Sequence, residues 1–96
     1  MTATDATAHS VVLEIKNRLG LHARAATLFV KTVASFDAAV EVIKDGRGVD
    51  GKSILGLMTL AAGQGSTIEL RVTGPQALES ITALRELLDR RFDEED

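Results

Sequence analysis

The 96-residue chain contains no cysteine, no tryptophan and no tyrosine. Without cysteine it can have neither a disulfide framework nor a thiolate metal site, and its having only two histidines argues against a zinc site. We therefore expect neither a metal nor a cofactor. Aromatic residues amount to 3% of the chain, so the core must be built from Val, Leu, Ile, Ala and three Phe.

Long apolar segments and a basic stripe are also missing from the sequence. No run approaches the ~20 apolar residues of a membrane-spanning helix, and the start of the chain lacks the basic and apolar regions of a signal peptide. The net charge is −3, but residues 93–96 are all acidic, so the remainder is nearly neutral. Nucleic-acid binders need a basic surface. We expect a soluble cytoplasmic protein that binds no nucleic acid and does not insert into membranes.

Hydrophobic periodicity predicts four strands and three helices in the order β-α-β-β-α-β-α. Alternating apolar residues predict strands at 10–16, 38–44, around 49, and 67–72. Helical spacing predicts helices at 23–36, at 54–62 and from Pro75 onward, the last with a buried stripe of Leu78, Ile81, Leu84 and Leu88. The predicted fold is α+β: an open-faced sandwich in which three helices cover one face of a four-stranded antiparallel sheet.

We expect one folded domain with a short extension at each end. The domain is predicted to span residues 10–91 and to carry the functional site. Residues 1–9, which include His9, are predicted to form a flexible N-terminal extension. Residues 92–96 are predicted to form a solvated, frayed acidic tail.

Residues 46–53, GRGVDGKS, match the phosphate-binding pattern G-x-x-x-x-G-K-[ST]. A P-loop leaves a parallel strand, whereas Asp45-Gly46 predicts a tight turn between antiparallel strands. The last predicted strand also lacks the Asp that would hold magnesium. We interpret the match as coincidental, with Ser53 as the N-cap of a short helix and Lys52 as a solvated turn residue. The alternative, nucleotide binding, predicts magnesium-dependent affinity that is lost on Lys52→Ala.

The segment Gly20-Leu21-His22-Ala23-Arg24 stands at a predicted strand-to-helix junction. Backbone amides at a helix N-terminus, such as that of Ala23, favour anions, and the guanidinium of Arg24 suits phosphate oxygens. An imidazole is a nucleophile near neutral pH, so His22 could hold a phosphoryl group covalently without a metal. The alternative is a surface histidine beside a solvated arginine. These residues alone leave both interpretations open.

Two segments resemble one family, the histidine-containing phosphocarrier proteins (HPr) of the bacterial phosphoenolpyruvate-dependent phosphotransferase system. NRLGLHARAATLFV resembles the family's active-site segment, and GKSILGLMTLAAGQGS resembles its regulatory-serine region. They stand in the family's order, and the likeness covers about residues 10–90. The resemblance implies that His22 accepts a phosphoryl group on Nδ1 from enzyme I and passes it to a downstream acceptor domain, with Arg24 beside the phosphate.

Such a protein is a carrier with a phosphohistidine intermediate rather than a stand-alone turnover enzyme. The resemblance also implies that a serine kinase/phosphorylase can act on Ser53. It implies a monomer with a partner-binding surface around His22, contributed by Leu21, Thr27, Leu28, Lys31, Ile54, Leu55 and Met58. Ile54 and Leu55 could instead close the core, and we predict a shared role, part core and part exposed patch.

The sequence departs from the family's pattern near the site. Ala25 stands where most relatives have proline, and Ala34 and Gly56 stand where sugar-system carriers often have lysine. The depleted basic rim slightly favours a regulatory or atypical carrier, and the sequence leaves open whether the protein serves sugar uptake or the nitrogen-related regulatory branch. The alternative function is a non-catalytic regulatory binding module that acts through Ser53 and the patch of Ile54, Leu55 and Met58.

Overall fold

The computed structural model describes residues 8–94 of the chain. Its elements follow the predicted order β-α-β-β-α-β-α and end in a short 3₁₀ turn at Arg91–Asp93. The strands are β1 (His9–Glu14), β2 (Ala39–Lys44), β3 (Arg47–Asp50) and β4 (Thr67–Thr73). The helices are α1 (Ala23–Ala34), α2 (Ile54–Thr59) and α3 (Ala77–Asp89). Within this part of the chain, no helix has the length and apolar character needed to cross a bilayer.

The four strands form one antiparallel sheet in the order β1-β4-β2-β3. Alternate side chains of β2 and β4 are buried against the helices: Val40, Val42, Ile68, Leu70 and Val72. Helix α3 contacts β1 and β4, α2 contacts β3, and α1 packs against both helices. No helix of residues 8–94 covers the opposite face, and Val12 of β1 is 64% exposed there. The predicted open-faced α+β sandwich is confirmed.

A tight hairpin joins β2 to β3. Asp45 and Gly46 both have positive φ, 53° and 81°, as a two-residue type I′ turn requires, and Lys44 pairs with Arg47 across it. The segment 46–53 therefore contains an antiparallel strand in its middle. It lacks the continuous loop between a parallel strand and a helix that a P-loop uses to wrap phosphates.

The N-terminal boundary lies earlier than predicted. His9 pairs with Val72 in the first position of β1, so it belongs to the sheet rather than to an extension. Residues 1–7 of the predicted extension lie outside the described residues. Two helices end earlier than predicted. Helix α1 ends at Ala34 rather than residue 36, and helix α2 ends at Thr59 rather than residue 62.

Helix α3 begins later than predicted. Its buried stripe includes Ile81, Leu84 and Leu88 as predicted, but not Leu78. Its N-cap is Gln76, so Pro75 precedes the helix instead of opening it. Leu78 is 61% exposed, whereas Ala77 and Ser80 are buried with Leu84. Because each helical residue turns by about 100°, Leu78 lies outside the sector that holds these three residues.

The chain after α3 turns back toward the body of the protein. Arg91, Phe92 and Asp93 all have positive φ, between 54° and 60°, which makes a left-handed turn of three non-glycine residues. Phe92 is completely buried. The prediction that a solvated tail begins at residue 92 is therefore wrong. Residues 95–96 of the predicted tail lie outside the described residues.

Candidate functional site

His22 lies where the loop after β1 meets helix α1. It is the N-cap residue, with an extended backbone (φ −77°, ψ 180°), and its carbonyl oxygen accepts a hydrogen bond from the Ala26 amide at 2.8 Å. Its side chain makes no capping bond. The first-turn amides, beginning with that of Ala23, have no acceptor within the helix and favour an anion nearby.

The backbone before His22 is fixed by a glycine turn. Gly20 has a φ of +69°, which glycine adopts without strain, and a Cβ there would lie 2.9 Å from the Cα of Gly63. The Leu21 amide donates to the Ala62 carbonyl at 3.0 Å, and the His22 amide donates to the Gly20 carbonyl at 2.9 Å. The first bond ties the loop to the segment after α2, the second lies within the loop, and together they hold His22 in place.

Among residues 8–94, the imidazole of His22 has a hydrogen-bond partner at one of its two ring nitrogens. Its Nε2 is hydrogen-bonded to Oε2 of Glu94, from the segment that follows the left-handed turn. Its Nδ1 has no hydrogen-bond partner among residues 8–94. The His22 side chain is 29% exposed, whereas that of Glu94 is 10% exposed. The free ring nitrogen is thus the one that can react with a group approaching from outside.

Asn17 holds the other oxygen of Glu94. Asn17 is fully buried, and its Nδ2 donates to Oε1 of Glu94 at 3.1 Å and to the Gly20 carbonyl at 2.8 Å. Its Oδ1 has no hydrogen-bond partner within the described part of the chain. The side chain therefore links the loop before His22 to the C-terminal segment.

The carboxyl group of Glu94 is held in its ionised form. Burial raises its pKa, but hydrogen bonds from His22 and Asn17, together with the charges of His22 and Arg24, outweigh burial and keep the pKa below its ordinary value of 4.5. Glu94 is therefore a carboxylate at neutral pH and accepts both hydrogen bonds.

Arg24 lies beside this contact and remains accessible. Its Nη1 is 3.8 Å from Oε2 of Glu94, and its side chain is 58% exposed. At that exposure an ion pair contributes at most about 1 kcal/mol. The guanidinium can therefore turn toward another anion at little energetic cost.

Ser53 caps helix α2 as predicted. Its Oγ accepts a hydrogen bond from the Gly56 amide at 2.9 Å. The preceding Lys52 is exposed, and its amide donates to Oδ1 of Asp50 at 2.9 Å. The local geometry is that of a turn followed by a capped helix, which agrees with the structural interpretation of both residues.

Helix α2 presents an apolar patch to solvent. Leu55 is 75% exposed, Met58 39% and Ile54 36%, while Leu57 is fully buried and makes the helix's contact with the core. The alternative that Leu55 closes the core is therefore wrong. We call Ile54, Leu55 and Met58 the α2 patch.

The predicted partner residues around α1 differ in accessibility. Lys31 is exposed, and Thr27 and Leu28 are partly buried. Thr27 Oγ1 donates to the Ala23 carbonyl at 2.8 Å. Leu21 is only 5% exposed and belongs to the core cluster. Its prediction as a partner-binding side chain is wrong, because the side chain is buried in that cluster.

Sequence reasoning missed Asn17 and Glu94. A signal for Asn17 was available, since it continues the inward series of Leu13 and Ile15 at the end of β1. No pattern indicated Glu94, because its position depends on a left-handed turn formed without glycine. Within residues 8–94, no group of three potential ligands is placed to hold a metal ion.

Comparisons with known proteins agree on one family. The family model described as the PTS HPr component phosphorylation site matches residues 9–90. The phosphocarrier protein HPr of Neisseria meningitidis serogroup A is 46% identical over 82 residues, which cover 85% of this chain and 92% of that protein.

Solved structures give the same result. The crystal structure of HPr-C-His from Thermoanaerobacter tengcongensis superposes with a TM-score of 0.87 at 43% identity, covering 92% of this chain and 99% of that chain. An HPr dimer from the same organism gives a TM-score of 0.72 at 44% identity, covering 88% and 97%. The chain therefore belongs to the HPr family of phosphocarrier proteins of the phosphotransferase system.

Proposed function

We propose that this chain carries a phosphoryl group on His22, receiving it from enzyme I and delivering it to a downstream acceptor protein. The observation that carries the proposal is an imidazole at the N-terminus of α1 that is 29% exposed and whose Nδ1 has no hydrogen-bond partner among residues 8–94. In the accepting step, the Nδ1 lone pair forms a bond to phosphorus. The donor's bond to phosphorus breaks, and its electron pair remains with the donor.

The surroundings of His22 suit a transferred phosphate. A group on Nδ1 would meet the first-turn amides of α1, including that of Ala23, where an anion typically gains about 0.3–1 kcal/mol. The exposed guanidinium of Arg24 can add a charge-assisted hydrogen bond. We propose that these two elements stabilise the phosphohistidine without a metal.

We propose that the α2 patch, with Thr27, Leu28 and Lys31 of α1, forms the surface that partners contact in turn. Two observations support this surface: α1 and α2 pack together, and the patch is apolar yet exposed. A carrier exchanges partners, so its interfaces should be small, roughly below 1,200 Å² in total. The flexible thioether of Met58 suits a surface that fits more than one partner.

We further propose that Ser53 is the site at which a serine kinase/phosphorylase regulates the carrier. Ser53 opens α2, so a phosphate there would stand next to the α2 patch. It would add up to two negative charges and repel an acidic partner surface.

The proposed carrier is cytoplasmic and monomeric, and it serves either a regulatory branch or sugar uptake.

Phosphorus NMR after incubation with phosphoenolpyruvate, magnesium and catalytic enzyme I tests the proposal. We expect an acid-labile phosphohistidine signal in the wild type and in His9→Ala, because His9 lies in β1 and has no helix N-terminus beside it. We expect no signal in His22→Ala. A signal that persists in His22→Ala would contradict the proposal. A wild type that is never phosphorylated by its own enzyme I would favour the non-catalytic binding module.

A further inference from the structure

The contact between His22 and Glu94 determines which ring nitrogen carries the proton. A carboxylate has no hydrogen to donate, so the proton in this hydrogen bond must come from Nε2. A neutral His22 bonded to Glu94 is therefore the tautomer with its hydrogen on Nε2. Its lone pair lies on Nδ1, which has no partner among residues 8–94.

The carboxylate itself is fixed at both oxygens. Oε1 accepts from the buried amide of Asn17 at 3.1 Å, and Oε2 accepts from His22. The Glu94 side chain is 10% exposed, so water competes little for either oxygen. Asn17 is in turn held by the Gly20 carbonyl at 2.8 Å. This chain of contacts sets the orientation of the imidazole ring.

Glu94 is placed to assist His22 rather than to block it. A blocking carboxylate would contact Nδ1 or the first-turn amides of α1, where a phosphate is expected. The hydrogen bonds of Glu94 instead go to Nε2 and to Asn17, and Arg24 is 3.8 Å away. None of residues 8–94 is hydrogen-bonded to Nδ1, the ring nitrogen expected to react.

We propose that Glu94 is a positioning residue for phosphoryl transfer, holding the proton of His22 on Nε2 so that Nδ1 presents its lone pair to the donor. This inference rests on the proposed function of His22. As Nδ1 bonds phosphorus, the ring gains positive charge, and the adjacent carboxylate stabilises it. The Nε2 proton remains on the ring, and the electron pair of the broken bond leaves with the donor. The family match ends at residue 90, so Glu94 lies outside it.

Glu94→Gln, with Asp93→Asn as the matched control, tests this role. Both variants remove one negative charge from the same turn, but Asp93 pairs with Arg90 and does not contact His22. An amide can either accept from Nε2 or donate to it, so glutamine does not select a tautomer. We expect the rate of transfer from phosphorylated enzyme I to fall at least ~10-fold in Glu94→Gln, taking as a guide the lower end of the loss when a metal-bound histidine loses its hydrogen-bond partner. Asp93→Asn should transfer at the wild-type rate.

Ring ¹⁵N spectra of neutral His22 provide a readout that does not depend on activity. The wild type should show hydrogen on Nε2 and a lone pair on Nδ1, and Glu94→Gln should show both tautomers. A wild type with hydrogen on Nδ1 would overturn the inference, as would transfer by Glu94→Gln at or above the wild-type rate. If the wild type accepts no phosphate, the proposed function fails, and the spectra alone decide whether Glu94 holds the proton on Nε2.

Discussion

His22 lies between two opposite electrostatic influences. The first-turn amides of α1 favour negative charge next to the imidazole, whereas the carboxylate of Glu94 favours positive charge at Nε2. A phosphohistidine that keeps its Nε2 proton carries both charges, negative on the phosphoryl group and positive on the ring. The site is therefore complementary to the charge distribution of the phosphorylated state.

The contact with Glu94 should make stability depend on pH in the acid range. Because the folded-state pKa of Glu94 is lowered, its ionised form stabilises the fold fully above the ordinary value of 4.5, and this contribution is lost as pH falls through the folded-state pKa. We expect wild type to be more stable than Glu94→Gln at neutral pH and the difference to shrink in acid. Urea unfolding of both proteins from pH 7 to pH 2 measures this, using the pH range of Asp/Glu titration as a guide (about 2–5). A difference that grows toward low pH would contradict it.

At the scale of the element, the strands were predictable because burial on one face imposes period-2 alternation. Val40, Val42 and Leu70 are buried as their spacing indicates, and the Asp45-Gly46 turn dictates the hairpin. The sequence predicted that His22 would lie at the N-terminus of a helix, but it did not predict the side chains that contact the imidazole. It was also predictable that Ser53 would cap α2.

The C-terminal turn was not predictable from such patterns. Left-handed residues other than glycine cost about 1–2 kcal/mol each, so three in succession at residues 91–93 are not an expected local structure. They persist because tertiary contacts fix both sides of the turn, with Phe92 in the core and Glu94 bonded to Asn17 and His22. The acidic composition of the tail suggested solvation, whereas Phe92 and Glu94 are both held by contacts with the body of the protein.

Substitutions at Ser53 should distinguish the effect of helix capping on stability from the effect of negative charge on the transfer rate. Ser53→Ala removes the acceptor for the Gly56 amide and should lower the free energy of unfolding by about 1 kcal/mol. Ser53→Asp retains a capping oxygen and should keep thermal stability unchanged, yet slow transfer from enzyme I, because it adds negative charge beside the α2 patch. Thermal melts and transfer kinetics measure both effects. Equal transfer rates for Ser53→Asp and wild type would count against regulation through charge.

At the scale of the whole molecule, the two faces of the sheet differ, because the helices and His22 lie on one of them. The helices cover one side of the sheet. His22 stands at the N-terminus of α1 and contacts Glu94, which follows the C-terminal turn, and α2 packs against α1. Residues distant in sequence, such as Asn17 and Glu94, meet there because α3 runs back along β1 and β4. The site therefore depends on the complete sandwich rather than on one segment.

The exposed α2 patch should control partner encounter rather than folding. Leu55→Glu places a charge on a side chain that is 75% exposed and should reduce the rate of transfer from enzyme I with little change in stability. Leu78→Glu is the matched control, because Leu78 is 61% exposed at the start of α3, whereas Glu94 follows the opposite end of that helix. Quenched-flow transfer assays and thermal melts compare the two. Equal losses of rate in both variants would argue against the α2 patch as the docking surface.

The uncovered side of the sheet offers a place from which to observe these encounters. Val12 projects from β1 on that side, opposite the helices, and the chain contains no cysteine. A single cysteine introduced there would be the only thiol in the protein, so a fluorescent dye or a surface tether could be attached at one known point. Docking of a proposed partner against the helical face could then be followed through the label on the far side.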